Sequence, residues 1–107
     1  MGKPMAYTPE DRFEWDPAKA DANRRKHGVS FEEARDLLAG PGPFREGHDE
    51  WHSEEEDRAW AVGPGRGHIL KVVFTDADEG RIRILTARRA TARERAVFRR
   101  WLRGKRL

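Results

Sequence analysis

The segment from Arg81 to Arg95 constrains the fold more than any other part of the chain, because a strand pattern runs directly into a helix start. Apolar and charged residues alternate over residues 81–84, which is typical of a strand with one buried face. Thr91 and Glu94 then match a capping box, in which each side chain bonds the backbone N–H of the other residue at the first turn of a helix. The fold must therefore place a strand end beside a helix N-terminus.

Arginine dominates this junction. Residues 81–95 contain six arginines and a single carboxylate, Glu94. The N-terminus of a helix already favours anions, because its first backbone N–H groups have no partner within the helix. A guanidinium adds two parallel hydrogen bonds to a planar oxyanion. The pattern indicates a phosphate site, and the alternative is a solvated basic helix face.

Charge is distributed unevenly along the chain. The net charge is +3, but residues 88–107 carry +8 and residues 45–57 carry −6. A basic end and an acidic middle polarise the molecule, so that one side can attract nucleic acid.

Length and composition predict one domain in the cytoplasm. A chain of 107 residues has room for one modest core. It contains no cysteine, which excludes disulfides and thiol chemistry, and no apolar run of the roughly 18 residues that a membrane span needs. We predict a soluble cytoplasmic protein with no membrane partner, in which residues 1–12 are a disordered leader and residues 13–107 a single domain.

Local patterns predict an α+β fold with two N-terminal helices, an antiparallel β-sheet and a C-terminal helix. Asp16-Pro17 begins the first helix and Gly28 ends it. Ser30 and Glu33 form a second capping box. The predicted strands are residues 13–15, 44–49, 57–62, 68–75 and 81–87; the predicted helices are residues 17–27, 31–39 and a terminal one with an apolar stripe of Val97, Phe98, Trp101 and Leu102.

Arg88 is the first candidate for a functional residue. It continues the alternation of Ile82, Ile84 and Thr86, so we predict that it projects from the core face at the strand end. A guanidinium in that position needs an anionic partner. The partner is either a substrate phosphate or a structural carboxylate.

Lys26, His27 and Arg58 are further candidates. Lys26 and His27 end the first helix, where the helix dipole favours cations, although histidine also titrates near neutrality and can transfer protons. Arg58 follows an acidic run, so an ion pair and an RNA-phosphate contact both explain it. These alternatives stay open.

The evidence in the sequence for a metal site is weak. His48 and His52 stand four residues apart with carboxylates nearby, but that spacing aligns ligands only on a helix, and Gly47 argues against one. We therefore predict no metal and no cofactor. Three tryptophans can stack on bases: Trp51, Trp60 and Trp101, of which Trp101 lies on the apolar stripe.

Several ordered blocks of residues resemble the BrnT toxins of bacterial type II toxin–antitoxin pairs. The resemblance spans Phe13 to about Trp101, and Lys71 departs from it by interrupting a strand that is commonly apolar. The blocks are Phe13-Glu14-Trp15-Asp16, Asn23 with Lys26-His27-Gly28-Val29-Ser30-Phe31-Glu32-Glu33-Ala34, Ile82-Arg83-Ile84, and Ala87-Arg88-Arg89-Ala90-Thr91 with Glu94-Arg95.

This resemblance implies a RelE-like or barnase-like ribonuclease fold and cleavage of RNA that halts translation. It also implies neutralisation by a cognate BrnA-like antitoxin, and promoter DNA binding only through the complex with that antitoxin. The family's motif positions correspond to Lys26, His27, Arg58, Arg88 and Arg89.

We therefore hypothesise a metal-independent endoribonuclease. Cleavage needs a deprotonated 2′-OH, a stabilised phosphorane and a protonated 5′-oxygen. The catalytic candidates are Lys26, His27, Arg58 and Arg88, and the RNA-binding candidates are Arg83, Arg89 and Arg95. The alternatives are a non-catalytic module that binds nucleic acid or an antitoxin, and a metal-dependent nuclease that uses His48 and His52.

Overall fold

The computed structural model describes residues 6–8, 12–49 and 57–105, and the first three by their backbone alone. It confirms an α+β fold. The strands are β1 Ala6–Thr8, β2 Phe13–Trp15, β3 Arg45–His48, β4 Ala59–Pro64, β5 Ile69–Asp76 and β6 Ile82–Arg89; the helices are α1 Pro17–His27, α2 Phe31–Ala39 and α3 Ala92–Gly104.

Local capping chemistry sets the helix ends. The Asp16 carboxylate accepts a hydrogen bond from the Ala18 N–H at 2.9 Å, and Gly28 ends α1 in the left-handed conformation, with φ of 70°. Both capping residues were predicted. At α3, Thr91 and Glu94 form the predicted capping box in full.

The capping box predicted at α2 forms only in part. The Ser30 hydroxyl accepts from the Glu33 N–H at 3.1 Å. The Glu33 carboxylate, however, accepts from the Arg66 N–H at 2.7 Å instead of reaching back to Ser30. A long-range partner has replaced the local one.

The described strands form one sheet in the order β1-β2-β6-β5-β4-β3. Its pairs are antiparallel except for β2 and β6, which run parallel, so the sheet is mixed and the prediction of an antiparallel sheet is wrong at this pair. The direction of a three-residue strand is not encoded in its own pattern, because alternation is the same in both directions.

Within the predicted leader, the structure describes a short strand at residues 6–8. Ala6–Thr8 forms β1 and pairs antiparallel with β2. Residues 1–5 and 9–11 lie outside the described part of the chain.

Helices cover the sheet on both faces and create two apolar clusters. The larger cluster packs α1 and α2 against one face and includes Phe31, Leu70 and Ile84. The smaller cluster packs α3 against the other face through Phe98, Val62 and Ala90. We call the face of the sheet that α3 covers the α3 face.

A β-bulge in β6 changes the direction in which Arg88 points. Between Ile84 and Thr86, β6 has one more residue, Leu85, than the paired segment of β5. The alternation shifts at this point, so that Ile84 and Ala87 both lie in the larger cluster and Arg88 projects from the α3 face. The prediction that Arg88 projects from the core face is wrong, because one extra residue reverses every later side chain.

Candidate active site

A row of cations crosses the α3 face. The strand register places Arg45 opposite Val62, Val62 opposite Lys71 and Lys71 opposite Arg88. Residues directly opposite one another share a face of the sheet, and strands are about 4.8 Å apart. Arg45, Lys71 and Arg88 therefore form a basic row about 14 Å long from β3 to β6.

Glu94 on α3 anchors the inner end of this row. It receives both ends of the Arg88 guanidinium, with Nη1 to Oε1 at 2.8 Å and Nη2 to Oε2 at 2.9 Å. The Lys71 ammonium lies 3.5 Å from Oε2, and the Thr91 N–H donates to Oε1 at 2.8 Å. The bidentate pair fixes the plane of the Arg88 guanidinium.

These contacts shift the titration of both groups. The hydrogen bonds from Arg88 lower the pKa of Glu94 from 4.5 to about 2, with further help from the Thr91 N–H and the charge of Lys71. The same pair raises the pKa of Arg88. Glu94 is therefore ionised at neutral pH and is a poor proton acceptor there.

Arg58 and Arg83 lie further along the same face. The Arg58 carbonyl accepts from the Asp49 N–H at 2.7 Å, which continues the β3–β4 ladder by one step, so alternation puts Arg58 on the face of Trp60 and Val62. Arg83 donates from Nε to Glu14 at 2.8 Å, and Arg81 donates to the other oxygen of Glu14 at 2.9 Å. Glu14 is 4% exposed, so Arg83 is held in a structural ion pair.

Asn23 attaches α1 to the end of β6. Its carboxamide accepts from the Ala87 N–H at 3.2 Å and donates to the Ala87 and Val29 carbonyls at 2.7 and 3.0 Å. Lys26 and His27 follow three and four residues later and share this side of the helix. The bonds from Asn23 therefore hold α1 against the end of β6, on the face of the sheet opposite α3.

A second basic group surrounds this junction. A cleft of about 550 Å³ is lined by the predicted RNA-binding residues Arg89 and Arg95, together with Arg99 and His68. Arg95 also donates to the Ala90 carbonyl at 2.8 Å, which orients its guanidinium. We call this cavity the junction cleft.

The predicted residues therefore fall into four groups. Arg88 and Arg58 share the α3 face, Arg89 and Arg95 share the junction cleft, and Arg83 is paired with Glu14. Lys26 is exposed and His27 is half-buried at the end of α1.

Several contributors to the site were not predicted, Arg45 and Arg99 among them. Lys71 belongs to the basic row, and the available signal was a lysine inside an otherwise apolar strand. Glu33 contacts His68 Nε2 at 3.0 Å and holds the turn beside the junction cleft, but local sequence gave it a capping role. Long-range pairing of this kind leaves no trace in the local pattern.

No cluster of three or more metal-ligating side chains occurs within residues 12–49 and 57–105. His48 ends β3, and His52 lies outside the described residues, as does Trp51.

A known protein family matches most of this chain. The family model described as "Ribonuclease toxin, BrnT, of type II toxin-antitoxin system" matches residues 15–94, which is well over half of the chain. The chain belongs to the BrnT family. BrnT-family members are ribonuclease toxins of type II toxin–antitoxin systems, so the resemblance seen in the sequence is confirmed.

A solved BrnT structure is similar in fold. The crystal structure of the Brucella abortus ribonuclease toxin, BrnT, determined at 1.1 Å resolution, is 22% identical, with a TM-score of 0.52. The alignment covers 72% of this chain and 92% of that one. Comparison with curated protein sequences gives no significant match.

The BrnT match contains most of the candidate site. Lys26, His27, Arg58 and Arg88 lie within residues 15–94, whereas Arg95 follows the matched range by one residue. Among the described residues, no helix is long and apolar enough to cross a membrane.

Proposed function

We propose that this BrnT-family chain is a metal-independent endoribonuclease that cleaves RNA and so blocks translation in the cytoplasm. The observation that carries the proposal is the basic row on the α3 face, which ends at a fixed, planar guanidinium. Glu94, the carboxylate beside that row, is already engaged by cations. Such a surface suits a polyanion and offers little to a divalent metal.

The reaction that fits this surface is attack by the internal 2′-OH. The 2′-oxygen bonds to phosphorus, the bond from phosphorus to the 5′-oxygen breaks, and the 5′-oxygen takes up a proton. Arg88 stabilises the extra negative charge on the phosphorane. Lys26 and His27 take part in proton transfer or hold the neighbouring phosphate.

Arg58 contributes from further away. It lies four residues along β4 from the basic row, about 13 Å, and two strands from β6, about 10 Å. This separation favours contact with a neighbouring phosphate over contact with the scissile one. Arg89 and Arg95 bind the RNA backbone in the junction cleft. Arg83 contacts RNA only through those guanidinium N–H groups that its pair with Glu14 does not use.

Membership of a toxin–antitoxin family supports the remaining proposals. The chain has a RelE-like architecture, a BrnA-like antitoxin neutralises it, and promoter DNA is bound only through the complex with that antitoxin. The positive junction between β6 and α3 is the surface that such an antitoxin must block.

Replacing Arg88 tests the proposed site. We expect Arg88→Ala to reduce kcat for RNA cleavage by about 100-fold or more, because one charge-stabilising donor contributes about that much. Arg88→Lys keeps the charge but loses the bidentate geometry, and we expect an intermediate rate. Initial rates on a labelled RNA, with melting temperatures for each variant, make the measurement.

Arg100→Ala is the matched control. Arg100 is an exposed arginine on α3 that lines neither the junction cleft nor the α3-face row, so its loss should leave the rate unchanged. Equal losses for Arg88→Ala and Arg100→Ala would mean that Arg88 contributes only bulk charge, and would remove it from the site.

A second function is favoured by the pairing of Arg88 with Glu94. Because both ends of the guanidinium are engaged, the cation can serve as part of a binding surface without taking part in chemistry. A non-catalytic module would bind RNA with a steep salt dependence and leave it intact.

A further inference from the structure

We propose that the cleft beside Trp60 on the α3 face is a subsite that stacks one base of single-stranded RNA next to the phosphate held at Arg88. This inference rests on the proposed function, because it takes RNA as the ligand. It assigns Trp60, Arg45 and Lys71 to substrate binding.

The cleft combines an apolar interior with a basic rim. Its volume is about 270 Å³, room for a small planar group. Val62, Val97 and Phe98 provide apolar surface. The positive charges of Arg45, Lys71 and Arg93 outnumber the one carboxylate in the lining, Glu94. A nucleotide complements both features, because its aromatic base suits the apolar interior and its anionic phosphate suits the basic rim. The cleft therefore matches a nucleotide better than a purely apolar ligand.

Trp60 is fixed in place by the strand beside it. It pairs with Gly47 of β3, and a Cβ atom at Gly47 would come within 2.5 Å of the indole ring. The ring therefore lies directly over the backbone of β3. The Cβ atom of any other residue at position 47 would clash with it. A half-buried, immobilised indole loses little entropy when a base stacks on it.

Two cations of the basic row contact the same indole. The Arg45 guanidinium carbon lies 4.9 Å from the ring centroid, and the Lys71 ammonium lies 5.8 Å from it. Cation–π contacts place both side chains over the ring. A base that stacks on Trp60 therefore displaces at least one of them, and the displaced cation can receive a phosphate next to the stacked base.

The position of Lys71 connects this subsite to the proposed reaction centre. Lys71 is the cross-strand partner of Arg88, and both contact Glu94. A base on Trp60 is therefore adjacent to the phosphate at Arg88. The base must be unpaired, because bases within a duplex are stacked on each other and unavailable to an aromatic side chain.

Binding of a short, single-stranded 2′-O-methyl RNA tests the subsite. This probe lacks the nucleophilic 2′-OH, so its affinity is measured without cleavage. We expect Trp60→Ala to weaken binding by about 5- to 150-fold, the range for loss of one stacked base, and Trp60→Phe to retain most of the affinity. Trp101→Ala is the matched control, because Trp101 also contacts a cation, Lys105, at 4.8 Å but does not line the cleft.

Abasic substitutions in the same probe test the proposal without altering the protein. We expect one abasic position to weaken binding to the wild-type chain as much as Trp60→Ala does, and to have no further effect on that variant. Because the abasic probes are measured on the unaltered protein, this experiment tests the subsite even if a tryptophan variant is unstable.

The outcomes separate this proposal from the ribonuclease proposal. Trp60-dependent binding of the probe, with no cleavage of natural RNA, would support the subsite and contradict ribonuclease activity. Unchanged probe affinity for a folded Trp60→Ala variant would overturn the subsite. So would a Trp60→Ala variant that binds RNA normally but no longer binds the cognate antitoxin, because the cleft would then be a protein-docking surface.

Discussion

Glu94 accepts hydrogen bonds from Arg88 and from the Thr91 N–H, and it also contacts Lys71. One carboxylate thus begins α3 and orients the cation proposed to bind the scissile phosphate. The capping box was visible in the sequence, but the pair with Arg88 depends on the bulge at Leu85. At the scale of single residues, a structural role and a positioning role coincide in one side chain.

The lowered pKa of Glu94 makes stability depend on pH. Its folded value of about 2 lies below the ordinary 4.5, so its contribution is complete above pH 4.5 and is lost as the pH falls towards 2. We expect Glu94→Gln to lower the free energy of unfolding at pH 7 by about 1 kcal/mol, a modest amount because the pair is partly exposed to solvent. Urea unfolding of both proteins should show that the difference in free energy of unfolding between Glu94→Gln and the unaltered chain disappears as the pH falls from 7 to 2.

Glu79→Gln provides the control for that titration. Glu79 is 78% exposed and lies 3.4 Å from Arg81, so its replacement should change stability little at any pH. A Glu94→Gln difference that stays constant down to pH 2 would contradict the ion-pair account.

At the scale of elements, α1 depends on polar contacts more than on apolar packing. Asn23 is its only buried residue among those described, and it bonds Ala87 and Val29. An apolar stripe, the usual means by which a helix docks, is missing from α1. The end of β6 and the last turn of α1 are therefore joined by one carboxamide.

Replacing Asn23 should separate these two elements. We expect Asn23→Ala to lower the free energy of unfolding by about 2–4 kcal/mol, because it leaves buried backbone groups of Ala87 and Val29 without partners. Lys19→Ala, an exposed change on the same helix, should cost less than about 0.5 kcal/mol. Thermal or urea unfolding followed by circular dichroism gives both values, and equal stability of the two variants would contradict this role of Asn23.

The elements also show what the sequence could and could not predict. Both ends of α1, the start of α2 and the capping box of α3 follow from residues within four positions of each other, so local chemistry was sufficient. The parallel direction of β2, the bulge in β6 and the bond from Glu33 to the β4–β5 turn arise from long-range pairing. The candidate residues Arg58 and Arg88 were recognised, but their shared face became visible only with the strand register.

At the scale of the whole molecule, positive charge occupies two adjoining surfaces. The basic row lies on the α3 face, and the junction cleft adds Arg89, Arg95 and Arg99 at the end of the sheet. RNA bound across both would release counterions from its phosphates. The small net charge of +3 conceals this local concentration.

Salt dependence measures how many phosphates the junction cleft contacts. We expect the double variant Arg89→Ala and Arg99→Ala to reduce the slope of log K against log salt by about 1.4, because each contact to single-stranded RNA contributes about 0.7. Fluorescence anisotropy over a range of salt concentrations provides the slope.

The double variant Arg24→Ala and Arg25→Ala removes the same charge from α1, where both arginines contact Asp21. Its slope should match that of the unaltered chain. An equal decrease in both double variants would indicate that RNA responds to net charge rather than to the junction cleft.

The most direct test of metal-independent RNA cleavage is incubation of the purified protein with RNA in excess EDTA, followed by analysis of the product ends. Attack by the internal 2′-OH predicts cleavage in EDTA that leaves 2′,3′-cyclic phosphate and 5′-hydroxyl termini. For Arg88→Ala in the same assay, we expect cleavage that is slower by about 100-fold or more. Cleavage that requires an added divalent metal, or products with 5′-phosphate ends, would contradict the account.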